Sequence, residues 1–220
     1  MKSELLGHKA PLLSVSDWVQ GDPVNFDQLI GRVVLVEVFQ VNCPGCFLYS
    51  LPMAANLHQR YADQGLSVLG VATAFEDFDK NTLENLTRLA ETGAVVGEKL
   101  RMLSEHGLLV DGHLSYQIPF PLGMDRLQKC GNEVTQTDID DFIHSRIPDF
   151  SLQSDTYRQQ IRVRVEQYLH NLIYRAETFE RFELKGTPSH ILVDKQGILR
   201  DCAFGDYPEL EARIVGLLKE

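Results

Sequence analysis

Val33-Val34-Leu35-Val36-Glu37-Val38-Phe39-Gln40-Val41-Asn42-Cys43-Pro44-Gly45-Cys46 is the stretch from which the fold can be read. A continuous run of β-branched and apolar residues reads as a buried strand. It gives way at once to Cys-Pro-Gly-Cys, and residues 47–61 then follow helical spacing. The two cysteines therefore sit where a strand ends and a helix begins. Unpaired backbone N–H groups and the positive end of the helix dipole stabilise a thiolate at that point. A thiolate, not a thiol, attacks a disulfide. Pro44 lacks an N–H that would have gone unpaired in the first turn, and its φ is already set for a helix. Cys43 is the candidate redox nucleophile, and Cys46 the cysteine that resolves the mixed disulfide.

The 220 residues suffice for one domain carrying a sizeable insertion. Hydrophobic residues make up 44% and charged residues 24%, as in an ordinary soluble globular protein. A formal net charge of -10 argues against nucleic acid and against an anionic membrane surface as partners. Four cysteines, two of them in one Cys-x-x-Cys, do not resemble a disulfide-stapled secreted scaffold. Met1 to Lys9 has no apolar core of signal-peptide length, and no later run is long enough to span a bilayer. The expected compartment is the cytoplasm, or the periplasm if a leader has been removed.

Upstream of the central stretch, residues 10–31 alternate short apolar clusters with turn residues, which suggests an N-terminal β-hairpin. Phe26 to Gly31 reads as a helical turn closed by glycine. Downstream, Pro52 lies inside the Cys-x-x-Cys helix and is expected to kink it. Gly65 is a natural C-terminal cap, and Leu66 to Thr73 is a second buried strand. Strand, helix and strand in this spacing predict a right-handed βαβ crossover. Short helices are expected from Thr82, from 97 to 106 and from Thr137, with a broken extended segment over 116–125. The longest helical candidate is Thr156 to Phe182, with Ile161, Val165, Tyr168, Leu172 and Phe179 on one face. Its charged faces read first as solvated, with a docking or homodimer surface as the alternative. Ser189–Asp194 and Ile198–Phe204 around Lys195-Gln196-Gly197 predict a hairpin, and residues 208–218 an amphipathic closing helix.

The Cys43-Pro44-Gly45-Cys46 turn after a buried strand, with Gly186-Thr187-Pro188 directly before a hairpin, resembles the thioredoxin superfamily. The branch it is most similar to is the TlpA-like and redoxin proteins, on Gly31-Arg32-Val33-Val34-Leu35-Val36 and residues 186–197. The resemblance implies an α/β fold, a central mixed β-sheet flanked by helices. It covers residues 8–75 and 183–220, so residues 1–220 form a single thioredoxin-like domain with a helical insertion at 126–182. By the same resemblance Cys43 is the exposed attacking cysteine and Cys46 the buried resolving one. Pro188 is the cis-proline facing the disulfide, and the Thr187 backbone is an edge for an extended substrate. Pro44 and Gly45 complete the substrate-binding surface. Glu37 stands six residues before Cys43, where thioredoxins place a buried acid. A carboxylate among valines is costly unless functional or paired, and its implied use is to accept the Cys46 proton. Asn42 departs from the family's usual tryptophan and makes the surface around Cys43 more polar.

The expected activity is that of a thiol-disulfide oxidoreductase, with disulfide reduction as the expected direction. Its partners would be a protein or small-molecule disulfide and an electron donor still to be identified, with no cofactor and no metal. A peroxiredoxin-type peroxidase is the rival within the fold, but it needs threonine or serine where Gln40 stands. A redox-sensing binding module is the alternative from another class. A zinc site would need two further ligands, and Cys130, Cys202 and the histidines are scattered. Cys202 reads as a buried small hydrophobe. Cys130 reads as an inert thiol, with exchange at the active site as the alternative. His190 could tune the site, although a strand histidine is more often structural.

Overall fold

All seven side chains of β2 (Val33–Phe39) are buried, and the rest of the sheet assembles around them in a computed structural model. The structure describes residues 5–97, 99–131, 134–147 and 149–220, with the backbone alone at Ser145. Residues 1–4, part of the N-terminal stretch inspected for a leader, lie outside the described residues.

The chain separates into two compact units, one of residues 2–127 and 176–220, the other of residues 128–175. The first holds a six-stranded mixed sheet. Its strands are β1 (Val15–Gln20), β2, β3 (Leu66–Ala72), β6 (Leu122–Asp125), β9 (Ser189–Val193) and β10 (Leu199–Phe204), in the order β1-β6-β3-β2-β9-β10. β2 runs parallel to β3 through α1 (Leu51–Tyr61), which is the expected βαβ unit. β2 and β9 are antiparallel, with Glu37 directly opposite His190. α2 (Leu83–Thr92), capped by Thr82, α3 (Lys99–Glu105) and the ribbon β4 (Leu109–Val110) and β5 (His113–Leu114) follow β3. α7 (Leu210–Lys219) closes the chain. Gly65 takes φ +106 at the end of the short 3-10 turn Ala62–Gln64 that follows α1, the left-handed cap read from the sequence. The mixed sheet flanked by helices implied by the family resemblance is present.

Strand pleating divides the core. Val33, Leu35 and Phe39 point to one face with Cys46, Phe47, Leu51 and Ala54. Val34, Val36 and Val38 point to the other, with Phe179, Phe182, Ile191 and Val193. Glu37, odd-numbered like Leu35 and Phe39, shares the face that carries Cys46.

Three expectations are corrected. β1 does not form an N-terminal hairpin but pairs antiparallel with β6, more than a hundred positions along the chain, from Val15 opposite Asp125 to Gln20 opposite Leu122. Local turn residues said nothing of that distant partner. The helix expected over Thr156–Phe182 is interrupted: α5 (Asp155–Asn171) ends, β8 (Tyr174–Ala176) follows, and α6 (Glu177–Arg181) starts anew. The restart is dictated from elsewhere, because the Asp125 carboxylate accepts the N–H groups of Thr178 at 2.8 Å and Phe179 at 3.1 Å. Residues 176–182, assigned to the insertion from sequence, therefore belong to the sheet-bearing unit. The kink expected at Pro52 also takes another form, because Pro52 sits in the first turn of α1, directly after a π turn described below.

In the second unit α4 (Gln136–Arg146) and α5 pack through Ile139, Ile143, Val165 and Leu169. A capping box between Thr135 and Asp138 starts α4. β7 (Leu127–Lys129) pairs with β8. Among the described residues no helix is long and apolar enough to cross a membrane.

Candidate active site

Beyond Phe39 the chain turns through Gln40, whose carbonyl accepts the Cys43 N–H at 3.0 Å, and becomes helical at Pro44. Residues Cys46–Ser50 form a π turn, in which the Leu51 N–H reaches back to the Cys46 carbonyl. In that widened turn the Phe47 carbonyl would look to residue 52 for its donor, and Pro52 has none. The Tyr116 hydroxyl supplies the missing bond at 2.9 Å. The expected distortion at the proline is thus a π turn N-terminal to it, satisfied from a distant loop.

Cys43 and Cys46 form a disulfide with a Cα–Cα separation of 5.4 Å. Cys43 is half-buried, whereas Cys46 is fully buried. The Cys46 N–H donates to Cys43 Sγ at 3.3 Å, and the same donor would stabilise a Cys43 thiolate after reduction. The Thr187 carbonyl oxygen lies 3.7 Å from Cys43 Sγ, and the Thr187–Pro188 bond is cis. A Cβ on Gly45 would come within 3.9 Å of the Pro188 ring. The Gly205 N–H holds the Pro188 carbonyl at 2.9 Å, and the Ser189 hydroxyl holds that of Gly186 at 2.8 Å. The fold therefore brings Cys43, Cys46, Pro44, Gly45, Thr187 and Pro188 to one corner, at the C-terminal end of β2.

Glu37 is fully buried on the Cys46 face. Its Oε1 is 2.7 Å from His190 Nδ1, while its Oε2 has no hydrogen-bond partner among the described residues. Burial raises the carboxyl above its ordinary range, and His190 and the nearby Ser50 hydroxyl oppose that rise only in part. For His190, burial works against the charged ring, but the charge and hydrogen bond of Glu37 outweigh it, so the ring's pKa is raised. Both partners thus hold protons more tightly than they would in water. Ser50 escaped the sequence reading. It sits one helical turn beyond Cys46, to whose carbonyl its hydroxyl donates at 3.3 Å.

Asn42 is tied down on both sides. Its N–H donates to Asn81 Oδ1 at 2.9 Å, and its amide donates to Asp77 at 2.8 Å. Gly97, at φ +84, lies so close that any side chain there would strike the Asn42 amide oxygen. Lys99 was also invisible from sequence. It is 1% exposed, with Nζ 3.5 Å from the centroid of the Phe47 ring and no hydrogen-bond partner among the described residues. Burial lowers its pKa to about 6.

The remaining cysteines are built differently. Burial, reinforced by Asp201 and Glu183, pushes the Cys202 thiol up to about 12, so it stays protonated. Cys130 belongs to the 128–175 unit, where it lines a cavity of about 240 Å³ with Lys129, Asp138 and Arg175. Among the described residues no group of three or more His, Cys, Asp or Glu side chains could hold a metal ion.

No protein-family model matches the chain. Among curated proteins it is 28% identical to protein FixW of Rhizobium leguminosarum over 126 residues, 55% of this chain and 56% of FixW. It is 30% identical over 80 residues to protein DipZ of Mycobacterium tuberculosis, 35% of this chain and 11% of DipZ. The matches thus span about half of the first relative and a small part of the second. Among solved structures it is similar to a thioredoxin-like superfamily protein, with a TM-score of 0.59, 25% identity and coverage of 96% of this chain and 97% of that one. A thiol-disulfide isomerase from Corynebacterium glutamicum gives a TM-score of 0.57 and 26% identity, again with 96% and 97% coverage. The fold is thioredoxin-like.

Proposed function

We propose that this thioredoxin-fold thiol-disulfide oxidoreductase works as a disulfide reductase. The observation that supports the mechanism is the buried carboxylate of Glu37, placed by strand pleating on the face of Cys46, while the direction is set by the reduction potential of the pair. A base beside the resolving cysteine serves the step that completes reduction of a substrate. The Cys43 thiolate attacks one sulfur of a substrate disulfide, that bond breaks, and the departing sulfur takes a proton from water. A mixed disulfide joins Cys43 to the other substrate sulfur. Cys46 gives its proton to Glu37 and attacks Cys43 Sγ, and the second substrate sulfur leaves as a thiolate. Two electrons have passed to the substrate, and the Cys43–Cys46 disulfide remains for a dithiol donor to reduce.

The Thr187–Pro188 edge holds an extended segment on either side of the substrate cysteine, which favours a polypeptide disulfide over a compact small molecule. Gln40 stands where a peroxidase would place a hydroxyl to bind peroxide, and it is buried. The test is turnover of a disulfide-bonded protein with dithiothreitol as donor, run beside consumption of hydrogen peroxide with the same donor. The reductase reading expects disulfide turnover well above the dithiothreitol background and slower peroxide consumption. Faster peroxide consumption, or no gain over background, overturns it.

A further inference from the structure

We propose that His190 is a positioning residue for the resolving step: it keeps one proton between its Nδ1 and Glu37 Oε1, which leaves Oε2 as the oxygen that takes the proton of Cys46. This deepens the reductase reading and rests on it. His190 Nε2 lies 2.9 Å from the Gly205 carbonyl oxygen, which can only accept, so Nε2 carries a hydrogen. Nδ1 lies 2.7 Å from Glu37 Oε1. Two bare acceptors would repel at that separation, so a proton sits between them. The pair is then either a carboxylic acid beside a neutral ring or a carboxylate beside an imidazolium, and it holds that one proton in both forms.

The placement comes from the sheet. Glu37 and His190 are directly opposite in the β2–β9 ladder, and both point to the face of Cys46. From the turn after Cys46, the Ser50 hydroxyl faces the carboxylate but donates to the Cys46 carbonyl. From the loop after β10, Asp206 acts on the ring through its charge, and the Tyr207 ring lies 6.1 Å from it, centroid to centroid. Oε2 is left buried without a partner among the described residues. An unsatisfied buried carboxylate oxygen is costly and needs an explanation in the fold or in the chemistry.

The proton balance follows from this. When Cys46 is deprotonated, its proton goes to Oε2, and the proton near Oε1 stays wholly with Nδ1. The carboxyl is then a neutral acid accepting from an imidazolium, and that imidazolium offsets the charge of the new thiolate. The Cys46–Cys43 bond forms, the Cys43–substrate bond breaks, and the departing thiolate takes a proton from water. Without His190 the isolated carboxyl loses the neighbour that favours its charged form, so the base becomes available only at higher pH.

Mixing the reduced protein, in a Cys130→Ser background that removes the other partly exposed reactive thiol, with 5,5′-dithiobis(2-nitrobenzoate) separates the two reactions. The first thionitrobenzoate released reports attack by Cys43, and the second reports resolution by Cys46. Followed by stopped flow from pH 5 to 9, the second-phase rate of the unaltered protein should rise along an acidic limb. Glu37→Gln should abolish that limb. His190→Gln should move it to higher pH by about one unit, roughly a tenfold slower second phase on the limb, with recovery at alkaline pH. The double variant should behave like Glu37→Gln alone. A His190→Gln limb at the unaltered pH overturns the proposal, as does a slowing that is equal at every pH. Absence of any first phase in the unaltered protein would instead defeat the redox reading itself. Should the histidine variants not fold, ¹⁵N shifts of His190 in the unaltered protein decide. A ring that titrates near 6.5, like a free imidazole, contradicts the shared proton, whereas one that stays protonated at Nε2 and hydrogen-bonded at Nδ1 supports it.

Discussion

The two faces of β2 are both buried and are used in opposite ways. Val34, Val36 and Val38 look onto an apolar layer closed by Phe179, Phe182 and Ile191. The opposite face carries Val33, Leu35 and Phe39, but between Leu35 and Phe39 stands Glu37, whose partner His190 comes from the next strand. Six buried apolar side chains and one buried acid on a single strand show that burial alone does not make a site. The acid is tolerated because a cross-strand neighbour satisfies one of its oxygens, and it is useful because its face is that of Cys46. Lys99 sharpens the contrast, being buried against Phe47 with no partner among the described residues and with no assigned task.

The strongest way to break the comparison is at the chemical end of the reactive face. Cys43→Ser should abolish disulfide turnover, whereas Cys46→Ser should accumulate a mixed disulfide visible as an intact-mass adduct. Full turnover by the Cys43 variant would remove the reactive face from the account. Next comes the base: Glu37→Gln should slow the second thionitrobenzoate phase about a hundredfold, within the usual range for loss of a general base. A second phase as fast as the original would make Glu37 a packing residue.

The quiet face should answer differently. Val36→Ala, which trims a fully buried side chain, should cost roughly 1–3 kcal/mol in urea unfolding while leaving resolution per folded molecule within about twofold. A change in the second phase larger than the change in stability would mean that the two faces are not separate.

Lys99→Met should act with the opposite sign: a gain in stability. The folded pKa of Lys99 is depressed to about 6. Between that value and its unfolded pKa of about 10.4, the unfolded chain binds the proton that the folded chain lacks, so the cost of burial falls as pH rises. The gain from methionine should therefore be greatest below about pH 6 and shrink towards alkaline pH. Urea unfolding of both proteins at acidic, neutral and alkaline pH checks the trend, and a gain that grows with pH would contradict it.

Local features of the sequence carried much of this architecture. The valine run, the Cys-Pro-Gly-Cys turn, Gly65, Thr82 and the Lys195-Gln196-Gly197 hairpin each act within a few residues of themselves, and each does so in the structure. What stayed hidden depends on register or on partners far along the chain. β1 reaches β6, Asp125 caps α6, and Tyr116 completes a π turn that Pro52 leaves short of a donor. Glu37 and His190 could each be singled out near the cysteines and the cis-proline. That they face each other required the β2–β9 register, which no local pattern encodes. Lys99 was hidden for the opposite reason, because a lysine on a short helix is ordinarily solvated.

The most direct test of the central claim is the reduction potential of the Cys43–Cys46 pair, by equilibration with glutathione and mass spectrometry of the alkylated protein. A disulfide reductase should give a value near or below about −250 mV. A value of about −120 to −180 mV would contradict the reducing direction, and no intramolecular disulfide under any ratio of glutathione would contradict the redox site itself.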